Sequence, residues 1–90
     1  MNSYKCSDGT KVKKSIVDRR IREAKRIKLD NFIQEHGYYF CEECKKSKGV
    51  YIDCSHDISV DECQKSGKTE LAWDINNITL RCRNCHIKHD

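Results

Sequence analysis

Apolar residues recur every three to five positions along residues 11–36, and neither glycine nor proline interrupts them. This spacing places one apolar stripe along a helix, and basic residues occupy much of the remaining surface. The stripe consists of Val12, Ile16, Val17, Ile21, Ala24, Ile27, Phe32 and Ile33. Gly37 suits the left-handed position that ends a helix. The pattern therefore predicts a basic helix over residues 11–36, and Asp30-Asn31 leaves a division into two helices open.

The pattern changes in the second half of the chain, where short runs favour strands. Residues 50–54 are rich in β-branched and aromatic side chains, which predicts a strand that ends at His56. Residues 78–80 (Ile-Thr-Leu) predict the returning strand, and residues 83–90 a closing helix. A short helical turn is expected within residues 59–65. Together these elements predict an α+β fold built on a β-hairpin followed by a helix.

The chain has 90 residues, of which 37% are hydrophobic and 36% are charged. A chain of this size forms one domain, here residues 1–90. Its core is small, so the fold needs an additional cross-link such as a metal site or disulfides. No apolar segment typical of a secretion signal opens the sequence, and no apolar run is long enough to span a membrane. We therefore expect a soluble, cytoplasmic protein with no membrane partner.

Two Cys-x-x-Cys pairs, Cys41/Cys44 and Cys82/Cys85, are the residues predicted to form this cross-link. Two such pairs can supply the four thiolates of a tetrahedral structural zinc site. Disulfides are the rival interpretation, but the chain has seven cysteines, an odd number, and a reducing cytoplasm disfavours them. The spacing therefore favours Zn²⁺ bound by these four residues.

Positive charge is concentrated in the N-terminal part of the chain. Residues 1–40 carry ten Lys/Arg against five Asp/Glu, a net charge of +5, whereas residues 41–90 carry a net charge of −1. A basic helix favours an anionic partner such as a nucleic-acid backbone, although a solvated helix face explains the charge equally well. The candidate phosphate contacts are Arg19, Arg20, Arg22, Lys25, Arg26 and Arg83.

Three further residues stand in a fixed order relative to the cysteine pairs. His56 and Asn77 lie between the pairs, and His86 directly follows the second pair. Residues 41–90 resemble the HNH endonuclease signature with its ββα-metal fold. The small size and the basic N-terminal helix are similar to compact HNH proteins encoded by phages. The resemblance implies a small zinc-stabilised ββα-metal domain over residues 41–90, preceded by the basic helix.

The resemblance also implies a role for each residue. His56 would be the general base that activates water, since a neutral imidazole accepts a proton near pH 7. His86 would bind a catalytic divalent cation, Mg²⁺, Mn²⁺ or another, that stabilises the leaving group. Asn77 would hold the loop and orient the general base. Alternatively, His86 would replace a cysteine as a ligand of the structural zinc. His89 is expected to be a solvated C-terminal histidine.

One position departs from the family pattern. The family usually has Asp or His immediately before the general base, as a second cation ligand, and here that residue is Ser55. Asp53 or Asp57 could substitute as the ligand; Asp53 is expected to face the opposite side of the strand from His56, whereas Asp57 adjoins it. Asp57 could also serve as the base if His56 were the ligand. The departure leaves open a second hypothesis, a catalytically weakened HNH-like zinc module that binds nucleic acid or a protein partner.

The leading hypothesis is a metal-dependent endonuclease that hydrolyses phosphodiester bonds in DNA. The expected setting is the cytoplasm of a bacterial host, with the protein encoded by the host or by a phage. A phage packaging or restriction assembly is the kind of protein partner that the resemblance implies.

Overall fold

The computed structural model describes residues 3–89, and these residues form two small antiparallel sheets and three α-helices. The elements are β1 (Ser3–Lys5), β2 (Lys11–Lys13), α1 (Lys14–His36), β3 (Ile52–His56), α2 (Val60–Lys65), β4 (Ile78–Cys82) and α3 (Arg83–His89). Two short 3₁₀ helices, Thr69–Trp73 and Ile75–Asn77, lie between α2 and β4. The prediction of a mixed α+β fold is confirmed at this level.

The long helix α1 begins three residues later than predicted. Residues 11–13 form β2 instead, which pairs with β1 through the register Ser3↔Lys13. A tight turn precedes β2, in which Thr10 donates from its backbone N–H to Asp8 Oδ1 at 2.9 Å. From Lys14 the helix continues without a break to His36, so it is not divided. It ends as expected at Gly37, whose φ of +82° allows its N–H to donate to the Ile33 carbonyl at 2.8 Å.

Helix α1 buries Val17, Ala24 and Phe32 and packs against the first 3₁₀ helix. Ala72 of that 3₁₀ helix is fully buried. The Arg20 guanidinium lies 5.0 Å from the centre of the Trp73 ring, so this arginine covers the edge of the interface. These contacts bring the carbonyl of Ala72 next to the end of β3, where His56 lies.

The second sheet is the β3–β4 hairpin, and α3 follows it without a linker. The register runs from Ile52↔Cys82 at one end to His56↔Ile78 at the other. Strand β3 begins at Ile52 and ends at His56 as predicted, whereas β4 extends two residues beyond its predicted end, to Cys82. Leu80, Ile78 and Cys82 are buried on one face of β4, and Arg81 is buried on the other. The hairpin is therefore covered on both faces, and its two ends separate Cys82 from His56.

Within residues 3–89, no helix combines the length and the apolar character needed to cross a membrane.

Candidate metal centre and groove

The four predicted cysteines come together at one end of the β3–β4 hairpin. Cys41 and Cys44 lie in the turn after α1, Cys82 ends β4, and Cys85 lies in the first turn of α3. Their sulfur atoms all lie within 4.8 Å of one another, and the Sγ atoms of Cys44 and Cys82 are 3.6 Å apart. A tetrahedral zinc with Zn–S bonds of about 2.3 Å separates its sulfurs by about 3.8 Å. The cluster could therefore bind a metal ion such as zinc.

The same distances argue against disulfides. A disulfide bond joins its sulfurs at about 2.05 Å, and the seven cysteines, all within the described residues, are free thiols. Backbone N–H groups also surround the cluster: Cys44 donates to Cys41 Sγ at 3.5 Å. The turn is tight, since Lys45 adopts a φ of +67° and donates its N–H to the Cys41 carbonyl.

The thiols of the cluster differ in acidity. Burial opposes ionisation of Cys41, but the backbone N–H groups of Cys44, Cys82 and Glu43 outweigh it and lower the Cys41 pKa to about 6. The pKa of Cys85 is raised to about 12, first by its hydrogen bond with the Cys82 thiol. Four neighbouring sulfurs cannot all be thiolates unless a cation neutralises them. The donor set therefore fits a divalent metal.

At the opposite end of the hairpin, His56 lies beside a groove of about 640 Å³. The groove is lined by His56, Asp57, Ile58, Ser59, Glu62 and His89. The His56 ring is half-buried, and its Nε2 lies 2.7 Å from the Ala72 carbonyl oxygen. Because a carbonyl can only accept a hydrogen bond, Nε2 carries the proton in the neutral ring, and Nδ1 is the basic nitrogen.

The surroundings of His56 keep the ring neutral at pH 7. Burial is the main cause that holds the pKa of His56 below its usual value of 6.5, and the charge of Lys25 and the neighbouring His86 ring lower it further. The Ala72 carbonyl and Asp57 act in the opposite direction but do not cancel it. A neutral imidazole with one nitrogen anchored is suited to accept a proton at the other nitrogen.

Asn77 holds the segment that follows His56. Its side chain accepts from the Ile58 N–H at 2.8 Å and donates to the carbonyls of Ile58 and Leu71, both at 3.0 Å. The Asn77 carbonyl also accepts from the Asp57 N–H at 2.9 Å. Asn77 itself is buried and is not among the residues that line the groove. Its contacts organise the loop without presenting a reactive group.

The two histidines of α3 contact different residues of β3. His86 Nδ1 lies 3.8 Å from Asp53 Oδ2, midway along the hairpin. His89, one turn later, donates from Nε2 to the backbone carbonyls of His56 and Asp57 at 3.1 and 3.0 Å. His89, which was expected to be simply solvated, therefore fastens the end of α3 to the rim of the groove.

Arg81 was not singled out from the sequence, yet it connects the cysteine turn to the groove. The side chain is buried, and Nε donates to Glu43 Oε1 at 2.9 Å. Nη1 donates to Ser55 Oγ at 2.9 Å, and Nη2 donates to Asp57 Oδ1 at 2.7 Å. The alternation of Thr79 and Arg81 with apolar residues along β4 was the available signal, since it places Arg81 on the sheet face of Ser55.

The Arg81 contacts decide what Ser55 and Asp57 can do. Ser55 is 1% exposed and its hydroxyl accepts from Arg81, so it does not line the groove. The Asp57 carboxylate accepts from both Arg81 and Thr79. Burial favours protonation of Asp57, but these hydrogen bonds outweigh it and hold the pKa of Asp57 below its usual range. Ser55 therefore lies away from the groove, whereas Asp57 lines the groove and uses only its Oδ1 in these two hydrogen bonds.

The predicted phosphate contacts do not form a single face. Lys25 lies near Cys54 and His56, because its charge lowers the pKa of His56 and its carbonyl lies 3.9 Å from Cys54 Sγ. Arg20 packs on Trp73, and Arg83 lies over the Tyr51 ring at 5.3 Å. The outer side of α1 carries the remaining arginines, Arg19, Arg22 and Arg26, and Arg26 pairs with Asp30 at 3.3 Å.

Comparisons with models of known protein families, with curated proteins and with solved structures found no match to this chain. The sequence and structure show a small α+β protein with a four-cysteine cluster suited to a metal ion such as zinc. Function must be inferred from the chemistry of this cluster and of the groove.

We predict that Cys82→Ser removes the bound metal and abolishes the cooperative thermal transition of the C-terminal half, because structural zinc supplies folding free energy directly. Elemental analysis of the purified protein should give one zinc per chain, and circular dichroism should follow the melting. Cys54→Ser is the matched control, since Cys54 lies on β3 outside the cluster, and it should keep its zinc. A Cys82→Ser variant that retains one zinc per chain would show that these sulfurs are not the ligands.

Replacement of Arg81 by Met should lower the free energy of unfolding by about 2 kcal/mol, because the buried Ser55 hydroxyl and two half-exposed carboxylates lose their donor. Urea unfolding measures this change. The control Arg83→Met removes an exposed arginine two residues away and should change stability by less than about 0.5 kcal/mol. Equal stability of the two variants would mean that the Arg81 network contributes nothing.

Proposed function

We propose that this protein is a metal-dependent DNA endonuclease of the HNH type, in which residues 41–90 form a ββα-metal unit. The order of elements supports the proposal: a cysteine turn, the β3–β4 hairpin and α3 follow one another as the motif requires. The observation that carries it is His56, which has Nε2 anchored on the Ala72 carbonyl and lies at the rim of an open groove.

His56 acts as the general base of this reaction. Its unprotonated Nδ1 takes a proton from a water molecule whose oxygen forms a bond to phosphorus. The bond between phosphorus and the 3′ oxygen then breaks, and the departing oxygen takes a proton from solvent. Because burial keeps His56 neutral, the base is available at pH 7 without prior deprotonation.

Side chains of α3 and of the neighbouring strand β3 indicate where a catalytic cation would bind. His86 Nδ1 and Asp53 Oδ2 are 3.8 Å apart, too far for a strong hydrogen bond. An octahedral cation with ligands at about 2.1 Å separates two of its donors by about 3.0 to 4.2 Å. His86 and Asp53 therefore lie at a distance that fits a donor pair, whereas the Ser55 hydroxyl is buried against Arg81. Such a cation would supply charge stabilisation for the departing oxygen.

The basic side chains supply the contacts that hold DNA. Lys25 is close enough to His56 for its charge to lower the pKa of that ring, so it would attract a scissile phosphate placed there. Arg19 and Arg22 on the outer side of α1 can contact phosphates farther along the backbone. Such contacts bind without reading sequence, so affinity should fall steeply as salt rises.

One observation favours a second candidate, a nucleic-acid-binding module without cleavage. The Arg81 network binds the Ser55 hydroxyl and Asp57 Oδ1, and His86 and Asp53 are not among the residues that line the groove. Two protein donors hold a divalent cation weakly unless substrate oxygens complete the shell. In this candidate the basic residues bind nucleic acid and His56 serves only to fasten β3 to Ala72.

We predict that the zinc-loaded protein nicks or linearises supercoiled plasmid when Mg²⁺ or Mn²⁺ is added, and that His56→Gln reduces the rate at least 100-fold, the size expected for loss of general-base catalysis. Glutamine can still donate to the Ala72 carbonyl but has no basic nitrogen. Gel electrophoresis of the plasmid measures cleavage.

His36→Gln is the matched control, because His36 lies at the end of α1 and packs on Phe32 away from the groove. It should cut as fast as the wild type. Wild-type activity in His56→Gln would remove His56 from the mechanism. Binding to the plasmid with a steep salt dependence, but no cutting with any divalent cation, would favour the second candidate.

A further inference from the structure

Tyr51 is the most exposed large apolar side chain of the described residues, with 73% of its surface accessible. It immediately precedes β3, and its carbonyl accepts from the Arg83 N–H at 3.0 Å. The Arg83 guanidinium lies 5.3 Å from the centre of the Tyr51 ring. The Tyr51 backbone is therefore fixed at the end of the sheet by a hydrogen bond from Arg83. The Arg83 side chain lies over the Tyr51 ring, and much of the ring surface is open to solvent.

The turn before Tyr51 is strongly basic. Lys45, Lys46 and Lys48 are all exposed there, and Gly49 reverses the chain with a φ of +71°. The acidic residues nearby in sequence have basic neighbours: Glu42 pairs with Lys28 at 3.4 Å, Glu43 pairs with Arg81 at 2.9 Å, and Asp53 lies 3.8 Å from His86. An exposed aromatic ring with an arginine at the ring and lysines in the preceding turn is the combination that binds the bases and phosphates of a nucleic acid.

A shallow hollow of about 130 Å³ lies beside the ring. It is lined by Gly49, Val50, Tyr51, Cys82, Arg83 and Asn84. This hollow is at the cysteine end of the hairpin, whereas His56 pairs with Ile78 four residue steps away, roughly 13 Å along the strand. The hollow is therefore separate from the groove and would contact a different part of a bound polymer.

We propose that Tyr51 and Arg83 form a stacking site for an unpaired base of single-stranded nucleic acid, with Lys46 and Lys48 contacting its phosphates. The choice of nucleic acid as the ligand rests on the proposed function, and the site adds the form of nucleic acid that is bound. Bases within a duplex are covered on both faces by their neighbours, so only an unpaired base exposes a face to the Tyr51 ring. Arginine beside the ring adds a second planar contact.

The test is the affinity of the zinc-loaded protein, without added divalent cation, for fluorescent oligo(dT), oligo(U) and a mixed-sequence DNA duplex. Tyr51→Ala should weaken binding of the single strands about tenfold, the effect of losing one stacked base, and leave duplex binding unchanged. Tyr51→Phe keeps the ring and should bind as the wild type does. The two single-stranded probes show whether DNA or RNA is preferred.

Tyr38→Ala is the matched control, since Tyr38 is also exposed but lies against Phe40, and it should have no effect. Unchanged single-strand affinity in Tyr51→Ala, or an equal loss for the duplex, would overturn the proposal. The assay involves no cleavage, so an uncut plasmid together with a Tyr51-dependent affinity would reject the nuclease and keep this site. Plasmid cutting without any effect of Tyr51→Ala would do the reverse.

Discussion

Everything in the C-terminal half depends on the convergence of four sulfurs from three separate segments. The cysteine turn, the end of β4 and the first turn of α3 meet at this cluster. The apolar core beneath it is small, and 36% of the residues are charged, so burial alone stabilises the hairpin weakly. A metal bound by these four thiolates would fix the register of β3 against β4 and the direction in which α3 leaves the sheet. The geometry of the groove at the other end of the hairpin would then depend on the metal site.

Two networks of polar side chains connect the cysteine cluster to the groove at the other end of the hairpin. Arg81 connects Glu43, inside the cysteine turn, to Asp57, which follows His56. Asn77 then fixes the backbone at residues 57–58 and joins it to the first 3₁₀ helix, whose Ala72 carbonyl anchors the His56 ring. A buried arginine with three partners is costly to assemble and costly to disrupt. Its position between the cluster and the groove is explained if the position of His56 matters.

The sequence predicts best the features that depend on local patterns. The apolar stripe of α1, its glycine end and the two Cys-x-x-Cys pairs are read from spacing alone, and the structure confirms the helix and the clustering. The features that were missed depend on contacts between distant segments. Burial of Arg81 requires partners at positions 43, 55 and 57, and the role of His89 depends on which turn of α3 reaches the carbonyls of β3. The prediction of helix for the strand Lys11–Lys13 is wrong, because three residues are too few to show the two-residue alternation of a strand.

The central claim is that metal binding at the cysteines holds His56 with its proton on Nε2 and its basic nitrogen on Nδ1. Nitrogen-15 NMR of the histidine rings, recorded before and after a chelator removes the metal, tests this directly. The account predicts a single Nε2-protonated tautomer for His56 in the metal-loaded protein, replaced by averaged signals of a mobile ring once the metal is removed. An Nδ1-protonated ring in the loaded protein, or an identical His56 spectrum with and without metal, would contradict it.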